Sequence, residues 1–175
     1  MTILILVLLI IMPALTIVAG LRDLTTMIIP NWISAAIVVG FFPAALAVGL
    51  PWMEMLTHVG VAFGALLIGM AMFALRWIGG GDAKLMAATT LWLGLSSSMT
   101  FVLWTAVVGG VFGLALILSR KHAQPLLAWA PHWLVRLMEP KGDIPYGVAI
   151  AAGALIAYPA SPMAAAFLAK GLAAG

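Results

Sequence analysis

The sequence predicts an all-α polytopic membrane protein of about six transmembrane helices, with one further helix lying at the cytoplasmic interface. Three observations carry that fold class. Of the 175 residues, 65% are hydrophobic and only 7% charged, against about half and a quarter in ordinary soluble domains, and the mean hydropathy is +1.22. No soluble fold of this length hides so much apolar surface, so lipid is the solvent for most of it. The apolar residues fall into runs of spanning length between short polar breaks, and the positive charges collect in alternate breaks.

Taken in order, the expected spans are Ile3–Leu21, Trp32–Leu50, Thr57–Trp77, Ala83–Leu95, Met99–Leu118 and Ile144–Leu168, each an apolar stretch bounded by polar residues, glycine or proline. The fourth is short for a crossing and is expected to start in the preceding loop or to tilt. Residues 1–20 carry no Lys or Arg ahead of the first apolar run, so that run reads as a retained helix and not a cleaved signal. No linker or low-complexity stretch divides residues 1–175, which are expected to form one domain.

Arg22, Arg76, Lys84, Arg120, Lys121, Arg136 and Lys141 fall in breaks on one side of this topology, and Lys170 alone falls on the other. The positive-inside rule makes the crowded side cytoplasmic and puts both termini outside. Between His122 and Glu139 the chain is too polar to cross. There Leu126, Trp129, Trp133, Leu134 and Leu137 recur at helical spacing, predicting an interfacial helix begun or kinked by Pro131; a flap over a site is the alternative. Gly60-xxx-Gly64 and Gly109-xxx-Gly113 permit close helix packing in lipid.

Composition also excludes function classes. Without cysteine there is no disulfide, thiolate zinc site or cysteine nucleophile. The net charge of +3 is not arranged as a basic stripe with interleaved aromatics, so nucleic acid is not an expected partner. His58 is assigned to the opposite end from His122 and His132, so no metal site is predicted, and the serines at 96–98 have no histidine base nearby.

Among the five acidic residues, Glu54 is placed in an outward loop and Glu139 and Asp143 in the long cytoplasmic break, where charge costs little. Asp23 and Asp82 differ, because each stands at the cytoplasmic end of a hydrophobic span, where ionisable groups are expensive and usually functional. Two carboxylates within a few ångströms share one proton, so that one can take a proton from water while the other polarises a peptide carbonyl. Alternatively, Asp23 caps a helix or pairs with Arg22, and Asp82 N-caps the span beginning at Ala83. Gly79-Gly80-Gly81, just before Asp82, is read as a break in the helix where another backbone, such as a substrate strand, approaches closely.

Three segments carry a resemblance: Asp23-Leu24-Thr25-Thr26-Met27-Ile28-Ile29-Pro30-Asn31, Gly79-Gly80-Gly81-Asp82-Ala83-Lys84-Leu85, and Ile144-Pro145-Tyr146-Gly147-Val148-Ala149-Ile150. In this order they resemble the prepilin peptidases, GxGD-type aspartic proteases of bacterial inner membranes. The resemblance implies an intramembrane aspartic endopeptidase without cofactor or metal, with Asp23 and Asp82 as its catalytic pair at the cytoplasmic face. The implied partners are prepilin or pseudopilin precursors with a short basic leader, cut after a glycine that precedes a hydrophobic helix. With no Cys-x-x-Cys insert, the chain resembles the short, peptidase-only form found with Flp/Tad pilus systems and lacks the N-methyltransferase portion. The loop after Asp23, often basic in the family, here holds Thr25, Thr26 and Met27.

Supporting roles are expected at the neighbouring positions. Pro30 and Asn31 open the second span, and Asn31 orients a loop carbonyl or Asp23, or caps. Lys84 bears on the charge of the pair or of substrate, or snorkels as an anchor. Pro145, Tyr146 and Gly147 wall the cleft or simply begin the last helix. The rival readings are another GxGD protease of presenilin or signal-peptide-peptidase type, a proton-coupled transporter or channel subunit using Asp23 and Asp82 as a relay, and a pilus-assembly subunit without chemistry.

Overall fold

In the computed structural model, which describes residues 2–123, 127 and 129–173, the chain is all helical, with no strand among the described residues. The elements are α1 (Thr2–Thr26), α2 (Asn31–Val48), α3 (Trp52–Ala74), α4 (Gly80–Ala123), α5 (His132–Leu137), α6 (Gly147–Ala157), a 3₁₀ turn (Tyr158–Ala160) and α7 (Pro162–Ala173). Five stretches are long and apolar enough to cross a membrane: Ile3–Thr26, Asn31–Val48, Trp52–Ala74, Gly80–His122 and Gly147–Lys170. The fourth, at 43 residues, would make a rod of about 65 Å if straight, roughly twice the hydrocarbon thickness.

It is not straight. Gly94 has φ 62° and ψ −176°, a backbone state essentially confined to glycine, and α4 folds back there. Residues 80–93 run alongside α3: Gly69 meets Ala83, Gly80 meets Phe73, and the Nδ1–H of His58 donates to the Leu91 carbonyl at 2.7 Å. Residues 95–123 return along α6: Gly153 lies on Phe101 and Thr105, Gly109 on Ala149 and Tyr146, and Gly113 on Ile144. The two halves of α4 are therefore the fourth and fifth expected spans. The turn falls at Gly94 and not at residues 96–98; those serines are helical, and Ser97 and Ser98 bond to the carbonyls of Ala160 and Gly94.

Several other boundaries differ from expectation. α1 continues to Thr26, so Asp23 is inside the helix, not beyond it, and Glu54 lies in the first turn of α3, not in a loop. The last span is two helices parted by the Tyr158-Pro159-Ala160 turn. The interfacial helix is six residues, starting after Pro131, not the whole of 122–139, because His122 still belongs to α4. Of its expected stripe, Leu137 is buried, Trp129 is exposed, and Leu126 lies outside the described residues.

The core sits where α1, α2, α4 and α6 meet, with Met12, Ile33, Ile37, Phe41, Trp92 and Phe101 fully buried. Most polar side chains inside it are paired, as a medium without water demands, Thr105 Oγ1 being the exception among the described residues. Trp92 Nε1–H donates to the Ile37 carbonyl at 2.8 Å. Pro13 within α1 lacks the N–H that would bond to the Leu9 carbonyl four residues back, and the Tyr158 hydroxyl donates to that carbonyl at 2.8 Å instead. By contrast α3 buries only His58 and Gly69 and leaves most of its apolar surface exposed.

This folding-back gathers Arg22, Arg76, Lys84, Arg120, Lys121, Arg136 and Lys141 at the end that holds Asp23 and Asp82. At the opposite end Lys170 donates to the Ala47 carbonyl at 2.8 Å, next to the left-handed Gly49 that ends α2.

Candidate active site

Asp23 is one turn from the end of α1. The helix stops because Met27 turns left-handed, φ 55°, and donates its N–H to the Asp23 carbonyl at 2.8 Å, while the Thr25 and Thr26 hydroxyls bond back to the carbonyls of Leu21 and Arg22. The carboxylate of Asp23 is buried, 7% exposed. Its Oδ2 accepts the backbone N–H of Gly147, the first residue of α6, at 2.7 Å. A first-turn N–H has no partner within its own helix, so the α6 N-terminus supplies both a free donor and the positive end of its dipole to Asp23.

Asp82 is the third residue of α4, and its Oδ2 accepts the Gly79 N–H at 3.1 Å. A third-position acid reaching back to the residue before the helix is half of a capping box. Asp82 is thus not the N-cap of a helix beginning at Ala83; the first i-to-i+4 bond already runs from Ala83 N–H to the Gly79 carbonyl. Asp23 and Asp82 line one cavity of about 390 Å³ with Met27, Arg76, Asp143 and Tyr146. Met27 and Arg76 are the two non-glycine residues with positive φ, 55° and 60°, among the described residues. Backbone in that state is held by its surroundings and clusters at functional sites.

The glycine run is not an unwound break. Gly80 and Gly81 form the first turn of α4, and neither has a left-handed backbone. Their smallness serves internal packing. A β-carbon on Gly81 would come within 3.0 Å of Ile29 Cβ, and one on Gly80 would touch the Phe73 ring at 3.4 Å. A β-carbon on Gly79 would come within 2.8 Å of Asp82 Oδ2, and Gly79 is the member of the run that lines the cavity. The Gly81–Ile29 contact joins the first motif to the second.

The structure brings the third motif to the site as well. Pro145 is buried, Tyr146 lines the cavity, and Gly147 is the donor to Asp23, with no room for a β-carbon, which would sit 2.8 Å from Asp23 Cβ. Pro30 is the N-cap of α2, so Asn31 is its first residue. Asn31 neither orients Asp23 nor caps; its Oδ1 accepts from Lys84 Nζ at 3.0 Å. That pair is exposed and lines a separate, largely apolar groove with Ser34, Val38 and Leu66, apart from the two aspartates.

Met27, Arg76 and Asp143 were not legible as site residues. Asp143 directly precedes Ile144-Pro145-Tyr146 in sequence, and that adjacency was the available signal. Met27 lies within the first motif, four residues after Asp23, but neither its nor Arg76's left-handed backbone is written in residue type when the residue is not glycine.

A bundle of lipid-facing helices that closes two carboxylates, each bonded to a backbone N–H, around a shared cavity at one end is an integral membrane protein with a paired-aspartate site. Residues 9–114, which include Asp23 and Asp82, match the type IV leader peptidase family, and the chain belongs to that family. It is 45% identical over 47 residues to a prepilin leader peptidase/N-methyltransferase of Aeromonas salmonicida strain A449, and equally to one from Aeromonas salmonicida. Each match covers 27% of this chain and 16% of the relative. No solved structure matches the chain.

Proposed function

We propose that the chain is an aspartic endopeptidase that removes the leader peptide from type IV prepilins of the Flp kind at the cytoplasmic face of the bacterial inner membrane. The observation that carries this reading is that Asp23 and Asp82, 59 residues apart in sequence, line one cavity and each accept a backbone N–H. The pair shares a single proton: the ionised carboxylate accepts a proton from water as its oxygen attacks the scissile carbonyl, and the protonated one donates to that carbonyl oxygen. Collapse of the tetrahedral intermediate returns a proton to the leaving nitrogen, so water is the only co-substrate.

Orientation follows from charge. Seven of the eight Lys and Arg residues share the aspartate end, which the positive-inside rule assigns to the cytoplasm, with both termini outside. An extended leader would enter past Gly79, which is exposed and carries no side chain. A substrate whose own helix lies in the bilayer need only align in the plane of the membrane, which supplies much of the rate. The whole of residues 1–175 would act as one peptidase domain, without methyltransferase activity.

The test is cleavage of a co-expressed Flp-type prepilin by the wild type, Asp23→Asn and Asp82→Asn, with the membrane level of each protein checked. Loss of cleavage in both variants at normal protein levels supports the pair. Near wild-type cutting by either variant would overturn it and favour a proton relay or a non-catalytic assembly role.

A further inference from the structure

Arg120 lies on the returning half of α4 and is 6% exposed. A buried guanidinium needs its donors satisfied, and the described partners of this one are all backbone carbonyls. Nε donates to Leu137 at 3.0 Å, Nη1 to Gly142 at 2.7 Å and Nη2 to Asp143 at 2.7 Å. The first is the last residue of α5; the other two belong to the segment between α5 and α6. A planar fork reaches three carbonyls in fixed directions, which a lysine ammonium on a flexible stem does not reproduce.

That segment is the part of the site that α1 and α4 do not provide. Asp143, Ile144 and Tyr146 line the cavity, and four residues after Asp143 comes the Gly147 N–H that holds Asp23. The segment has no regular structure of its own from 142 to 145. Gly142 packs against Glu139 and against Arg120 Nη2, so the guanidinium sets its path from the side facing the bundle. Arg136 secures the neighbouring contact, donating to the Thr26 carbonyl at the end of α1 at 3.1 Å.

Resting on the leader-peptidase reading, we propose that Arg120 is a positioning residue: it touches neither aspartate, but by gripping the Leu137, Gly142 and Asp143 carbonyls it fixes the segment that walls the cavity and delivers the Gly147 N–H to Asp23. A purely structural arginine would affect how much protein accumulates; a positioning residue affects turnover in protein that has already folded.

The experiment compares wild type, Arg120→Lys and Arg120→Gln, purified as full-length protein from membranes, on a prepilin substrate, and follows hydrogen–deuterium exchange in the peptides covering 138–147. Expected is a fall in kcat of about tenfold for Arg120→Lys and about a hundredfold for Arg120→Gln, the scale of an ångström-sized misplacement, with KM within about twofold. Exchange across 142–147 should rise in the same order. Unchanged kcat, a loss confined to KM, unchanged exchange, or failure of both variants to accumulate would each overturn the role. If the wild type itself does not cut, the leader-peptidase reading falls, and the exchange data alone then decide whether Arg120 holds the segment.

Discussion

The Gly147 N–H reaches the Asp23 carboxylate at 2.7 Å across 124 residues of sequence. This one bond ties the end of α1 to the start of α6, and it is possible only because residue 147 lacks a β-carbon. One placed there would stand 2.8 Å from Asp23 Cβ and 2.9 Å from Oδ2, distances that force one of the two backbones to move. Gly20 makes the neighbouring approach, with the Gly147 carbonyl 3.1 Å from where its own β-carbon would be.

Gly147→Ala should therefore act on catalysis more than on folding. Overpacking of this kind costs about 1–3 kcal/mol, which a bundle with this much buried apolar surface withstands, whereas a displaced Asp23 costs about a hundredfold in turnover. The check is prepilin cleavage set beside the level of protein in the membrane. Wild-type cutting by an accumulating Gly147→Ala protein would show that the contact does not orient Asp23.

How much of this was open to reading from residues alone depends on what kind of fact is asked for. The apolar class, the spans and the three motifs are local patterns, and the paired aspartates followed from them, because charge asymmetry put both on one side. Asn31 and Lys84 sit in the same motifs yet point into another groove, since a helix directs neighbouring side chains to different faces. Gly94 stands just before three serines that themselves resemble a turn, so residue type alone does not single it out. Arg120 read as one more orienting charge, and Tyr158 as part of an unbroken helix. Their partners lie 17 to 149 residues away, and no local pattern carries such a pairing.

Lys84 and Asn31 give the sharpest contrast between motif membership and position. Their mutual bond is exposed and away from the cavity, and a solvent-accessible bond adds little net stability. Lys84→Ala and Asn31→Ala should each keep cleavage within about threefold of wild type, measured on the same prepilin under the same conditions. A loss of tenfold or more in either would mean that substrate runs along the groove lined by Ser34, Val38 and Leu66.

Gly94 is the residue that turns one long helix into two crossings. Its φ of 62° with ψ near 180° disfavours any side chain, and a β-carbon would also meet His58 Nε2 at 2.7 Å. His58 cannot easily yield, because it is 3% exposed, bonded to the Leu91 carbonyl and stacked on Phe41 with ring centroids 5.5 Å apart. Backbone strain of about 1–3 kcal/mol and a steric clash therefore add. Gly94→Ala is expected to lower the melting temperature of the detergent-purified protein sharply and to deplete it from membranes. Normal accumulation would show that the α4 turn tolerates a side chain.

Thr105 and Gly153 make the opposite kind of prediction, a stabilising one. Gly153 packs so closely on the returning half of α4 that a β-carbon would overlap Thr105 Oγ1 and lie 2.9 Å from the Phe101 carbonyl. That hydroxyl is buried with no hydrogen-bond partner among the described residues, although threonines in helices commonly bond to a carbonyl one turn back, as Thr89 does to Leu85 here. An unpaired buried hydroxyl costs about 1–3 kcal/mol, while a methyl group in its place carries no such penalty. Thr105→Val should thus raise thermal stability in detergent by the equivalent of about 1 kcal/mol and leave cleavage unchanged, since Gly153 is six residues, nearly two helical turns, along α6 from Gly147. Gly153→Ala should do the reverse and destabilise strongly, because backbone on the facing helix cannot move aside as a side-chain end can. If Thr105→Val instead lowers stability, the hydroxyl has a partner, such as a bound water, that makes its polarity useful at this interface.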